Sequence, residues 1–256
     1  MRGRIIVVAA LCVACSLPAA AAGMTPAPGD IHDANGLVYR YYAPWGYRFQ
    51  PLLSLSALEI DVSRRRIAAT RKLAEALLAR AARRGDALYW PYDFSFGGGP
   101  ASWTSGFTQA IAAEALARAG VLLGDEKLIR AADASFRGLR ETLFMRIAGG
   151  LWIREYSFTH QVILNAQLQS IIALESYAAI AQTAAAHRVA VLVEAAARRL
   201  LPAFDLGCWG RYQLGGAAAD SHYEAYHVEL LRTLSVTHPE PIWRATYVRW
   251  RRCFHA

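Results

Sequence analysis

Trp152-Ile153-Arg154-Glu155-Tyr156 sets a cation, a carboxylate and a phenol in three consecutive positions, just after the Gly149-Gly150 turn. Glutamate and tyrosine can each carry a proton, and a neighbouring arginine can neutralise an anion, so these are the residue types of acid–base chemistry. The plainer alternative is a surface ion pair with one aromatic anchor. Tyr223 and His227 are four residues apart and lead into Leu230, Leu231 and Leu234, which puts both at the mouth end of a core-facing helical stripe. They can share a cavity, although a tyrosine and a histidine satisfied within the core would give the same pattern. Gln161, Asn165 and Gln169 recur every four residues beside an apolar stripe of Leu164, Leu168, Ile171 and Ile172, as on a helix bordering a cleft or solvent.

Two long connections are chemically unusual. One, 89–104, carries Trp90, Tyr92, Phe94, Phe96, three consecutive glycines and Trp103; the other, 208–219, carries Trp209, Arg211 and Tyr212. Aromatic and charged loops beside glycines are where a helical scaffold builds a cleft, and short strand hairpins capping the helices are compatible with that. Other chemistries lack their residues. His222 and His227 are five apart, about 140° around a helix, and neither HExxH nor a zinc spacing occurs, so no metal is expected. Gly97-Gly98-Gly99 follows neither glycine-rich phosphate pattern, and no GxSxG surrounds a serine, which argues against a nucleotide cofactor and a nucleophile elbow.

The elements that must hold these residues are helical. Turn signals cut the chain into seven helices at about 62–84, 105–121, 124–144, 159–183, 186–201, 220–236 and 239–252. Short punctuation between them predicts antiparallel helical hairpins, an all-α chain, rather than βαβ units. Residues 23–60, rich in proline and aromatics (Tyr39, Tyr41, Tyr42, Trp45, Tyr47, Phe49), show no helical period and read as an extended arm packed over the helices. The helical domain then runs from 61 to 256.

With 256 residues, 55% hydrophobic and 19% charged, the chain can bury a full core, so disorder and an all-β fold are disfavoured. Arg2 and Arg4 ahead of the apolar run Ile5 to Leu17, then Ala19 to Ala22, read as a signal peptide over 1–22 and predict an exported protein, periplasmic or secreted. No later stretch is long and apolar enough to span a membrane. The leader holds two of the 28 basic residues and no acidic one, so the remainder keeps a net charge of +6, suited to anionic partners. Arg64 to Arg66 and the Arg83-Arg84 pair are scattered over helix faces, which argues against nucleic acid. Cys208 and Cys253 remain after leader removal; a disulfide and two separate buried thiols are both open. The arm is also a place where two copies could form a homodimer.

From the helix near 62 to its end, the chain resembles the C-terminal domain of D-glucuronyl C5-epimerases, which act on glucuronate in heparosan-type chains. Three stretches carry the resemblance: W-I-R-E-Y with V-I-L-N (Trp152 to Tyr156, Val162 to Asn165), F-D-L-G-C-W-G-R-Y (Phe204 to Tyr212), and Tyr223, His227 and Leu231 followed by Arg249-Trp250. The resemblance implies an α/α toroid, an incomplete barrel of antiparallel helical hairpins. It implies Glu155, Tyr156 and Tyr223 as the acid/base set, with Tyr212, Asn165 and His227 lining or orienting the site. Inverting C5 of a uronate removes a proton α to a carboxylate on one face and returns one on the other, so two proton carriers must flank the ring. A phenol near pKa 10 needs a cation such as Arg154 or Arg211 beside it, or Glu155 supplies the base; the same cations would bind the substrate carboxylate.

This chain departs from the family at Gly215, where an arginine is usual, and at Glu224, where a second histidine is usual. Animal members carry β-rich domains ahead of the helical one that complete the substrate groove; here only the short arm stands in that place. Three functions follow: uronate C5-epimerase on an acidic polysaccharide, a lyase using the same proton abstraction with β-elimination, and a non-catalytic polysaccharide-binding module.

Overall fold

The computed structural model describes residues 29–254; the leader expected over 1–22 lies outside them. Eight helices are present among these residues, in four consecutive hairpins: α1 (Pro51–Ser63) with α2 (Ile67–Arg80), α3 (Gly106–Leu123) with α4 (Glu126–Thr142), α5 (Leu164–Ala181) with α6 (Ala184–Phe204), and α7 (Ser221–Thr237) with α8 (Pro241–Phe254). The first helix of each pair also packs on the first helix of the next, α1 on α3, α3 on α5 and α5 on α7, while the second helices sit outside. This is an α/α toroid of four hairpins.

The sequence sorts inner from outer. Helices α1, α3 and α5 are apolar nearly all round, as central helices must be, whereas α4, α6 and α8 carry one apolar stripe and a charged outer face. Small residues let the inner helices approach closely; Ala110, Ala112, Ala113, Ala115 and Ala117 of α3 are all buried. Hairpin turns keep the inner helices parallel, so their N-termini gather at one end.

Short antiparallel strand pairs decorate that end and its flanks: β4 (Ala82–Arg84) with β5 (Ala87–Tyr89), and β6 (Phe144–Ile147) with β7 (Gly150–Ile153). The expected extended arm is more ordered than its composition suggests. It forms a three-stranded sheet, β1 (Ile31–His32), β2 (Val38–Tyr42) and β3 (Gly46–Phe49), and runs directly into α1, a helix absent from the seven expected. Pro51 at the helix start supplies the fixed φ and missing N–H that suit a first turn. Ser54 secures the junction: its hydroxyl accepts the Val38 N–H at 2.9 Å and donates to the Gln50 carbonyl at 2.9 Å. The single helix expected over 62–84 is broken at 64–66, where Arg65 adopts a left-handed backbone. Cys208 and Cys253 form a disulfide, Cα–Cα 5.7 Å, tying the connection after α6 to the end of α8. No helix among the described residues is long and apolar enough to cross a membrane.

Candidate active site

Glu155 and Tyr156 follow β7 in a non-helical turn, because α5 begins only at Leu164. Backbone bonds fix that turn from both sides. The Arg154 N–H donates to Leu143 at 2.9 Å, its carbonyl accepts the Gly106 N–H at 2.8 Å, and Ser157 and Thr104 bind each other through the Ser157 N–H (2.9 Å) and Ser157 hydroxyl (3.1 Å). A Cβ at Gly106 would sit 2.6 Å from the Arg154 carbonyl oxygen, so only glycine permits this approach. From below, the buried Gln167 accepts the Ile153 N–H at 2.8 Å and donates to the Leu151 and Val193 carbonyls. Glu155 thus stands on a strand end clamped to α3, α5 and α6.

Tyr212 arrives from the 208–219 connection, which pairs with the segment entering α5: Leu164 donates to the Tyr212 carbonyl at 3.0 Å and Leu214 to the Val162 carbonyl at 2.9 Å. Tyr223 lies in the first turn of α7, its N–H capped by the Asp220 carboxylate at 2.9 Å. The rings of Tyr212 and Tyr223 meet at 4.5 Å between centroids, and their hydroxyls hydrogen-bond. Glu155, Tyr156 and Tyr223 line one cleft.

The opposite wall is aromatic. Tyr92 stacks on Trp103 at 4.0 Å, and Phe94, Phe96, Tyr42 and Tyr156 complete a continuous set of ring contacts. The 89–104 connection supplies most of it, as its composition indicated, and the N-terminal sheet supplies Tyr42 and Gln50. Gln50 and Ser105 are the N-cap residues of α1 and α3. The cleft therefore opens over the N-terminal ends of α1, α3 and α7, where helix dipoles favour an anion.

Burial shapes the proton chemistry. Glu155 is 6% exposed and one of its carboxylate oxygens has no hydrogen-bond partner. Burial raises its pKa from the ordinary 4.5 to about 7, against a smaller lowering from the Tyr156 hydrogen bond. Burial, then the negative charge that Glu155, Tyr156 and Tyr223 can carry, pushes the Tyr212 phenol far up, so it stays protonated. A carboxyl poised near neutrality, in a cluster with the protonated Tyr212 phenol, can take up and give back a proton.

The remaining expected site residues do not line the cleft. The Arg154 guanidinium donates to the carbonyls of Thr159 and Thr142, both at 3.2 Å, and to that of Ser157, bracing the turn. Arg211 donates to the Gly216 carbonyl within its own loop. Neither lines the cleft. Asn165 is buried in the first turn of α5, and Gln161 precedes that helix, so the four-residue polar series is not one face. His227 is fully buried, its ring 6.1 Å from that of Trp250 and its Nδ1 3.4 Å from the Glu224 carboxylate. Glu224 also accepts the Gly210 N–H at 3.0 Å and so anchors the loop carrying Tyr212.

The family profile for the D-glucuronyl C5-epimerase C-terminus matches residues 84–252. The chain belongs to that family. No protein of curated function matches the sequence. Among solved structures, an endoglucanase of glycosyl hydrolase family 8 from Klebsiella pneumoniae is similar over 86% of this chain and 75% of its own, at 15% identity and a TM-score of 0.60. An endo-β-1,4-glucanase from Acetobacter xylinum matches over 77% and 68% at 13% identity, TM-score 0.56. A third, a family 8 endo-β-1,4-glucanase from an Achatina fulica gut metagenomic library, matches 71% of this chain, which spans 57% of that protein, at 18% identity and TM-score 0.52. At these identities the likeness is one of fold.

Within the D-glucuronyl C5-epimerase family stretches, scaffold and chemistry separate. Asp205 accepts the Trp250 indole N–H at 3.0 Å and pairs with Arg249, joining the second stretch to the third. Trp152 is fully buried and stacks on Phe204 at 5.7 Å. Those residues hold the frame; Glu155, Tyr156, Tyr212 and Tyr223 cluster at the cleft.

Proposed function

We propose that this protein is a carbohydrate C5-epimerase acting on uronate residues within an acidic polysaccharide, converting D-glucuronate to L-iduronate or an analogous pair. The observation that carries the reading is the buried Glu155 carboxyl, poised at about 7 and hydrogen-bonded to Tyr156, in the same cleft as Tyr223. In this reading ionised Glu155 takes the C5 proton, and the electron pair passes into the substrate carboxylate as an enolate. A phenol, Tyr223 or Tyr156, returns a proton to the other face of C5, and proton exchange between Glu155 and the phenols resets the site. Tyr212 stays protonated and donates its hydrogen bond within the cluster. The aromatic wall offers faces against which sugar rings can stack, and the helix N-termini favour the growing negative charge. Export to the periplasm or medium, where such polymers lie, belongs to the same proposal.

The test is incubation with heparosan, hyaluronan and alginate in deuterated water, reading C5 deuterium and the epimer ratio by NMR with ultraviolet absorbance alongside. Deuterium at C5 with a changed epimer and no new absorbance is the expected result, abolished in Glu155→Gln and Tyr223→Phe. A new absorbance from an unsaturated uronate would show β-elimination instead. Absence of exchange on every polymer refutes the epimerase.

A further inference from the structure

An anionic ring in this cleft needs a cation, yet its lining residues include none. Arg154 and Arg211 are committed to backbone carbonyls. The N-terminal sheet, which lies ahead of the family match at 84–252, holds a different arginine. In the β2–β3 pair Arg40 faces Arg48 and Tyr42 faces Gly46, so strand alternation puts Arg48 on the same sheet face as Tyr42, its diagonal neighbour. Gln50, two residues beyond Arg48 in extended backbone, shares that face. Tyr42 and Gln50 both line the cleft.

The two arginines of this face differ in their partners. Arg40 is held by Asp30 through two bonds of 2.7 and 2.6 Å. Arg48 has no acidic partner among the described residues, and its Nε is buried without a hydrogen bond. Leaving a buried donor unmet is costly, more so for a charged group, and an incoming carboxylate would remove that cost. Gln50 repeats the pattern. It is 2% exposed, its amide donates to the Tyr42 hydroxyl at 2.7 Å, and its carbonyl oxygen is buried with no partner. One sheet face at the cleft therefore presents an unmatched cationic donor beside an unmatched neutral acceptor, the complement of a carboxylate next to a hydroxyl.

We infer that Arg48 binds the carboxylate of the uronate in the cleft and that Gln50 accepts a hydrogen bond from one of its hydroxyls, so the N-terminal sheet selects acidic over neutral sugars. The inference rests on the uronate reading above. A guanidinium fork matches a carboxylate in a way that lysine cannot, so charge and geometry can be separated.

The experiment measures affinity by calorimetry for heparosan and alginate, each native and carboxyl-reduced, with wild type, Arg48→Gln and Arg48→Lys, all checked for unchanged melting. Wild type should prefer the acidic form of at least one polymer by about 10- to 100-fold, the value of one charge-assisted contact. Arg48→Gln should erase that preference by weakening only the acidic form, and Arg48→Lys should recover part of it. Should Arg48→Gln melt early, Arg48→Lys decides: full retention of the wild-type preference overturns the bidentate contact. An Arg48→Gln protein that keeps the preference overturns the assignment and leaves the uronate reading standing. A wild type with no preference for either acidic polymer overturns both.

Discussion

Replacing Glu155 by glutamine should separate the cost of the carboxyl proposed as the base from its use. Glu155 titrates at 4.5 when exposed in the unfolded chain and at about 7 in the buried site. Because the folded-state value is the raised one, the stability linked to this group is fully present below pH 4.5. It is lost as pH climbs to about 7, and above that the folded protein carries the whole penalty of a buried carboxylate. At 1.36 kcal/mol per pH unit the loss totals about 3 kcal/mol. Glutamine does not titrate, so the stability of Glu155→Gln minus that of wild type should rise by about 3 kcal/mol between pH 4 and pH 8 and then level off. Working with the difference between the two curves removes every other titrating group from the comparison. It also removes any constant offset that the amide introduces. The assay is urea unfolding at half-unit pH steps, with C5 deuterium exchange measured on the same samples. Exchange should be lost in the variant at every pH, and in wild type it should rise with pH about a midpoint near 7 as the base ionises. Parallel stability curves for the two proteins would refute the claim that burial perturbs Glu155 and would remove the basis for its role as the base.

Other consequences follow from the packing. The Cys208–Cys253 bond closes a loop with a sequence separation of 45, so the double serine variant should lose about 4 kcal/mol on the chain-entropy estimate, measured by urea unfolding with and without reductant. Gly106→Ala should destabilise by about 1–3 kcal/mol through overpacking. It should also lower kcat, since the added methyl meets the Arg154 carbonyl and displaces the turn that carries Glu155. In the α1–α3 interface Glu59 is raised well above the ordinary carboxyl value, by burial first and then by the charge and hydrogen bond of Glu114. Its contribution is present at low pH and lost as pH rises, so Glu59→Gln should flatten the alkaline fall in melting temperature while leaving exchange at C5 intact.

What the sequence revealed of the site depended on whether local spacing or distant packing decided each residue. Glu155, Tyr156, Tyr212 and Tyr223 stood in motifs, and the 89–104 aromatics stood in one loop, so type and spacing were enough to bring them forward. The roles of Arg154 and Arg211 turned on what each guanidinium reaches, and Thr142 and Gly216 carbonyls look like nothing in a sequence. His227 fitted a mouth position by helical phase, but phase gives the face of a helix and not its depth, and His227 is fully buried, with Trp250 among its neighbours. The N-terminal segment misled differently. Its aromatic richness hid two alternating runs, V-Y-R-Y-Y and G-Y-R-F, separated by a proline turn, which together are a hairpin signal. That alternation, with the two runs paired, puts Arg48 and Tyr42 on one face.

That hairpin also forms one wall of the cleft. A four-hairpin toroid leaves its cleft open at the N-terminal ends of the inner helices, and a polymer lying there needs a wall on the far side from Glu155. The chain supplies the wall from its own first strands: Tyr42 contacts Phe94 at 4.3 Å, and the Trp45 indole donates to the Ser95 carbonyl at 3.1 Å, fastening sheet to aromatic loop. The Ser54 bonds to Val38 and Gln50 then make that wall continuous with α1, an inner helix of the barrel. A wall joined this way moves with the scaffold, so the distance from Arg48 to Glu155 is set by core packing and not by docking of a separate domain. A site built so would need no second domain to recognise one uronate ring, while subsites for rings further along the polymer would depend on whatever the rim provides. Shortening the polymer should test this division: affinity should fall little until the chain is cut to the few rings that the sheet and the aromatic wall can touch together.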